Sequence, residues 1–149
     1  MAGTIQKATL ADALWIASRL RRADRVELGL ETQDEIDFAL YRAWECSTWC
    51  NAVLVDGIPA IIYGVSPTER MVEGSVWMLA TERIGLIRRE FVAQCRGQVD
   101  KMLATYPYIH NYVHAGNRDA LRWLRWLGFT VDPTPTGRGN EFLHFWKEV

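Results

Sequence analysis

Cysteine is scarce in this chain: Cys46, Cys50 and Cys95 are the only 3 in 149 residues. A count that is both odd and small excludes a disulfide scaffold. No apolar run approaches the ~18 residues that a membrane-spanning helix requires. Neither sign of charge dominates, with 17 Lys+Arg against 18 Asp+Glu and a net charge of −1. That balance lacks the basic excess of a nucleic-acid backbone binder, so no nucleic-acid partner is expected. Internal repeats, linkers and low-complexity stretches are absent, which points to one domain over residues 1–149. The segment Met1–Lys7 has no basic region followed by an apolar one, so no secretory leader is expected. Cys46 and Cys50 have only His110, His114 and His144 as further soft ligands, at no recognised metal spacing. No metal is expected, and buried reduced thiols are the reading for the cysteines.

What the chain does have is apolar bulk. Hydrophobic residues make up 49%, and 7 are tryptophan. Residues 4–9 alternate and read as an opening strand. Ala13, Ile16, Ala17 and Leu20 recur at helical spacing, with Asp12 near the start, and this helix fades over residues 24–29. Thr32 and Glu35 form a capping-box pattern that opens a second helix with Ile36, Ala39, Leu40, Ala43 and Trp44 on one side. Two apolar runs then flank Asp56-Gly57, the dipeptide of a type I′ hairpin turn. Ser66-Pro67 reads as a loop, residues 75–81 as a buried strand, and residues 85–104 as a long helix striped by Ile87, Phe91, Cys95, Val99 and Met102. Gly97 weakens that helix by about 1 kcal/mol.

Residues 108–115 alternate as a strand, with Ile109, Asn111 and Val113 on one face and Tyr108, His110, Tyr112 and His114 on the other. A short helix follows Gly116-Asn117, its inward side Ala120, Leu121, Leu124 and Leu127, and Gly128 caps its end. Residues 129–131 and 142–146 are closing strands. The order β-α-α-β-β-β-α-β-α-β-β describes a mixed α/β domain.

That order, together with Asn117, Ala120 three residues on, and Gly128-Phe129 at the twelfth and thirteenth places counted from Asn117, resembles the GCN5-related N-acetyltransferase (GNAT) superfamily. A narrower resemblance is to the internal virion protein A family of short-tailed bacteriophages. It rests on the hairpin Asp56-Gly57-Ile58-Pro59, Trp77, Asp100 to Leu103, Asn111 to Val113, and Gly116-Asn117. The first resemblance implies acetyl transfer from acetyl-CoA to an amine. The second implies a phage accessory protein acting in virion assembly or genome ejection through contacts with other phage or host proteins. Its implied places are the host cytoplasm and, further, the virion.

GNAT chemistry uses a glycine-rich pyrophosphate loop, because backbone amides must approach the phosphates closely. Here that loop reads Thr81-Glu82-Arg83-Ile84-Gly85-Leu86-Ile87-Arg88, with a single glycine. Under the resemblance Leu79, Thr81, Arg83, Gly85, Arg88 and Asn117 are the residues that would bind acetyl-CoA or CoA, with Arg89 adding charge. Asn117 serves equally well as a helix N-cap. The family's tyrosine acid falls at Leu124, which has no proton to donate. Tyr112 and His114 are the substitutes, and Glu69, Glu73 and Glu82 are the candidate bases. Three readings fit: an accessory protein with a degenerate acetyltransferase site, an active acyl-CoA-dependent N-acyltransferase, and a non-catalytic acyl-CoA-binding module.

Arg118, Arg122 and Arg125 form a stripe on the last helix, with Trp123 and Trp126 beside it. Tryptophan and arginine dominate interface hot spots, so these five residues are a candidate partner interface. Trp15, Trp44, Trp77 and Trp146 read as core or near-core, and Trp49 is undecided between the two.

Overall fold

Asp56 (φ 53°) and Gly57 (φ 76°) both take positive φ, and that two-residue turn joins two antiparallel strands into a hairpin. The computed structural model describes residues 3–149; Met1 and Ala2, where the leader reading begins, lie outside the described residues. The order is β1 (Thr4–Lys7), α1 (Leu10–Ser18), α2 (Arg22–Leu28), α3 (Gln33–Cys46), β2 (Trp49–Val55), β3 (Ile58–Pro67), β4 (Glu73–Ala80), α4 (Arg88–Thr105), β5 (Tyr108–His114), α5 (Arg118–Trp126), β6 (Thr130–Val131) and β7 (Phe142–Glu148). Short 3-10 turns at Glu82–Leu86 and Arg138–Asn140 complete it. The strands form one sheet in the order β1-β2-β3-β4-β5-β7-β6, antiparallel except for the β4–β5 pair. The mixed α/β architecture expected from the sequence is the one observed.

Alternation along the strands divides the core into two. Ile62 and Leu79 point to one face and pack with Ala13, Ile16, Ile36 and Leu40 of α1 and α3. Ile61, Val76, Ile109 and Phe145 point to the other and pack under α4 and α5. Ile61 and Ile62 are both fully buried, and burying each contributes about 1.5–3 kcal/mol.

The helix ends follow local chemistry. Thr32 Oγ1 accepts the Glu35 amide at 3.1 Å, and Glu35 Oε1 accepts the Thr32 amide at 3.0 Å. The same reciprocal pair joins Thr9 and Asp12 at the start of α1. At the end of α5, Gly128 takes φ 95°. Its amide donates to Arg125 and that of Phe129 to Leu124, which is a Schellman closure.

Four expectations need correction. The first helix does not fade over residues 24–29. It stops at Ser18, and a separate α2 runs from Arg22 to Leu28, because Leu20 leaves the helix to bridge Thr81 and the Arg21 amide donates to the Ala80 carbonyl at 2.9 Å. Ser66 and Pro67 are not a loop but the last rungs of β3, opposite Ser75 and Gly74; proline is tolerated at such a strand end. The long helix begins at Arg88, because residues 82–86 form a tighter 3-10 turn capped by Thr81. Cys50 and Cys95 are buried, with thiols pushed up to about 12 and about 11 by burial, but Cys46 is exposed.

The tryptophans also sort differently. Trp44, Trp49 and Trp77 anchor through N–H donors to Ala8 O, Thr105 Oγ1 and Ser47 Oγ. Trp15 is not core: it lies on the outer side of α1 under the Arg19 guanidinium, 3.5 Å from the ring centroid.

Two substitutions check the helix arguments by urea unfolding. A Cβ on Gly97 meets open space, so Gly97→Ala raises stability by about 1 kcal/mol. Thr32→Ala removes the α3 cap and lowers stability by about 1 kcal/mol.

Candidate functional site

β4 and β5 run parallel but stay paired for only three rungs: Glu73↔Tyr108, Gly74↔Ile109 and Ser75↔His110. Gly74 is required at the closed end, since a Cβ there would stand 2.6 Å from the Tyr106 ring and 2.8 Å from Val65. Beyond the third rung Asn111 wedges the strands apart. Its Nδ2 donates across to the Val76 carbonyl, and its Oδ1 accepts the Tyr112 amide. From there the two strands diverge and leave peptide groups without ladder partners.

The divergence is filled by α2. Asp24 Oδ2 accepts the Ala80 amide of β4 at 2.8 Å and the Arg21 Nε–H at 2.8 Å. Glu27 accepts the His114 amide of β5 at 2.8 Å and 3.1 Å through its two oxygens. Asn117 Nδ2 reaches Glu27 Oε1 at 3.5 Å. Arg138 closes the far end, donating to the carbonyls of Leu28 and Glu27. Burial pushes the Asp24 carboxyl above its ordinary range, against the lowering pull of Arg21. Glu27 is likewise raised by burial, against the lowering effect of the His114 amide.

The residues expected to hold a cofactor fall at the end of β4, in the 3-10 turn and at the starts of α4 and α5. Ala80 turns both its amide and its carbonyl toward the divergence, so strand alternation turns Leu79 toward β3. The Thr81 amide donates to Ala60 O, away from the divergence. In the 3-10 turn the Arg83 amide goes to Thr81 Oγ1, and the amides of Ile84 and Ile87 go to carbonyls of the same turn. A Cβ on Gly85 would touch nothing, so this glycine makes no close approach. Arg83 points back to the Val55 carbonyl under the hairpin, with its Nε enclosed. Arg88 stands exposed at the start of α4. Asn117 is the α5 N-cap, its Oδ1 accepting the Ala120 amide at 3.2 Å.

Of the candidate proton carriers, Tyr112 and Glu73 border one recess and the others are dispersed. Glu82 is exposed and accepts the Arg22 amide at 3.4 Å. The His114 ring is held within its own turn, Nδ1 accepting the Gly116 amide at 3.0 Å while Nε2 lies 3.5 Å from Glu141. Tyr112 lies on the open sheet face against His144. Leu124, at the place of the family tyrosine, is buried in the core. Glu69 belongs to the loop between β3 and β4.

Two groupings escaped the sequence reading. The first is α2 with Asp24 and Glu27; the charged run after Leu20, ended by Gly29 in the left-handed region, was the signal for a separate helix. The second is a relay beside the closed end of the divergence. Glu73 pairs with His110 Nε2, and His110 Nδ1 lies 3.0 Å from His144 Nε2. Burial, and next the neighbouring His110, hold His144 below its ordinary value. These rings, with Tyr108, Tyr112, Arg70 and Val72, line a recess of about 520 Å³. A separate cavity of about 130 Å³ lies under α4, lined by Tyr63, Met78, Phe91, Cys95 and Trp123 among others.

The interface candidates split. Trp123 turns toward the core and packs on Phe91 with centroids 5.7 Å apart. Trp126 is 43% exposed, with the Arg96 guanidinium 4.0 Å from its ring centroid. Arg118, Arg122 and Arg125 are all exposed.

Residues 70–133 match the family model described as "Bacteriophage T7, probable scaffold protein Gp13". No curated protein matches in sequence. Among solved structures, an acetyltransferase from Thermus thermophilus is similar at TM-score 0.73 and 13% identity, over 100% of this chain and 98% of that one. Spermidine N-acetyltransferase from Vibrio cholerae, in complex with CoA and spermine, is similar at TM-score 0.70 and 10% identity, over 98% and 95% of the two chains. The ribosomal-protein-S18-alanine N-acetyltransferase from Escherichia coli is similar at 0.61 and 18%, over 97% and 92%. This chain therefore has the fold of the GNAT acetyltransferases, and its segment from residue 70 to residue 133 is similar to a bacteriophage scaffold family.

Proposed function

We propose that this chain is a bacteriophage accessory protein that has kept the GNAT fold and acts through protein contacts in particle assembly or genome ejection. Its places of action are the infected host's cytoplasm and the particle. One observation carries this reading: the backbone amides flanking the strand divergence, Ala80 and His114, are already bound by Asp24 and Glu27 of the same chain. A pantetheine arm laid in the divergence would meet two carboxylates and an engaged strand edge. The self-bonded 3-10 turn and Leu124 remove two further parts of the transfer chemistry.

A second reading is favoured by the electrostatics of α2. Raised carboxyl pKa values mean that burying these charges costs stability. An incoming CoA would therefore displace an element held at such a cost, and the chain would be an acyl-CoA-binding module or transferase. Asn117 and the exposed Arg88 would then lie along its path. The TM-scores support this only for the fold.

Calorimetric titration separates the two. The assembly reading expects no heat from CoA or acetyl-CoA at millimolar concentration; micromolar binding by the wild type overturns it. Where binding is seen, thiol release with pooled amines distinguishes transferase from binding module.

The carboxylates of α2 also set a pH dependence. A carboxyl raised in the folded state contributes stability that is fully present below its unfolded value and is lost as pH rises through its folded value. Glu27→Gln keeps an acceptor oxygen for the His114 amide and removes the titration. Relative to Glu27→Gln, the wild type gains melting temperature on acidification from neutral pH into the ordinary carboxylate range. A constant difference between the two Tm profiles would contradict the burial of Glu27.

A further inference from the structure

Two surfaces of opposite character lie back to back on the β5–β7 half of the fold. The core cluster under α1 and α3 takes no residue from β5, β6 or β7, so these strands leave one face open. On it the cross-strand pairs are Tyr108↔Glu148, His110↔Trp146 and Tyr112↔His144, and Glu73 stands beside Tyr108 from β4. Carboxylates thus flank a floor of rings. Tyr112 is 48% exposed there. Two cations border this floor: Arg70, 3.8 Å from Glu73 on a largely exposed side chain, and Arg138, 5.1 Å from the centroid of the Phe142 ring at the other end of β7.

The other face of the same strands is covered by α5, and the outer side of α5 carries Arg118, Arg122 and Arg125 with Trp126 under Arg96. None of these four arginines joins an ion pair among the described residues. Guanidinium groups stack on aromatic faces and pair with carboxylates in a planar fork. The open face offers both partners within one patch.

We propose that copies of this chain associate head to tail, the arginine–tryptophan stripe of one copy lying on the carboxylate–aromatic face of the next. The two patches differ and sit on opposite sides of one sheet layer. Their contact is therefore heterologous: it leaves one free patch at each end and grows into a ring or a filament rather than closing on a two-fold axis. The inference deepens the assembly reading and rests on it, since it names the partner as a second copy. Exposed charge on both sides makes the contact sensitive to salt.

Sedimentation velocity on the full chain across protein concentration is the test. At low salt the average mass rises with concentration, and at high salt it falls back to the monomer. Arg122→Ala with Arg125→Ala disables one face; Tyr112→Ala with Glu148→Ala disables the other. These are exposed positions, and circular dichroism confirms that each variant is folded. Each double variant alone stays monomeric. An equimolar mixture of the two retains one intact contact per pair and forms a 1:1 complex that grows no further. A wild type that stays monomeric at every concentration overturns the proposal, as does growth that survives either double variant or a mixture that fails to pair. Binding of polyglutamate or double-stranded DNA by a strictly monomeric wild type also overturns it, and assigns α5 to a different acidic partner. CoA calorimetry judges the assembly reading separately, so a monomeric chain that ignores CoA loses only the head-to-tail contact.

Discussion

The divergence of β4 from β5 is the constraint around which the rest of the molecule is arranged. A parallel pair with three rungs leaves strand edges that must find partners, because a buried amide without one costs about 1–3 kcal/mol. In this chain the partners come from within. Asn111 takes the first unpaired carbonyl, and α2 takes the amides that follow on both strands. This requirement accounts for the abrupt end of α1 at Ser18, for the excursion of Leu20 to Thr81, and for the presence of a seven-residue helix where the sequence periodicity suggested fraying.

Two carboxylates in a partly enclosed position are an unusual solution. Hydrogen bonds from Ala80, Arg21 and His114 compensate Asp24 and Glu27 only in part, which is why both sit above the ordinary carboxylate range. The arrangement stabilises by satisfying the strand edges while carrying a desolvation cost. A chain selected to hold a nucleotide cofactor at the same place would have little use for negative charge there. The 3-10 turn of residues 82–86 points the same way, because the amides of Arg83, Ile84 and Ile87 are taken up within the turn.

How much of this was legible in the sequence depended on range. The hairpin at Asp56-Gly57, the cap of Thr32 with Glu35, and the Gly128 closure are set by residues within about five positions of one another, and local chemistry specified all three. The alternation of Tyr108 to His114 was likewise readable, because side-chain direction follows strand period. The contacts that close the divergence span far more chain: Asp24 reaches 56 residues to Ala80, and Glu27 reaches 87 to His114. No periodicity links such positions. The same holds for Glu73 with His110, which become neighbours only once β4 and β5 lie side by side. The helical wheel of α5 placed Trp126 outward, while Phe91 on a different helix decided that Trp123 turns in.

The short β4–β5 ladder also has a mechanical meaning. It is the seam between β1–β4 with α1 and α3 on one side and β5–β7 with α5 on the other. Three rungs are little resistance to a pull across the sheet. The helix α2 works as a latch over that seam, fastened to β4 through Asp24, to β5 through Glu27, and to the segment before β7 through Arg138. Tension applied between the two halves would load these few polar bonds on one side of the sheet and, on the other, the apolar layer under α4 that spans the seam.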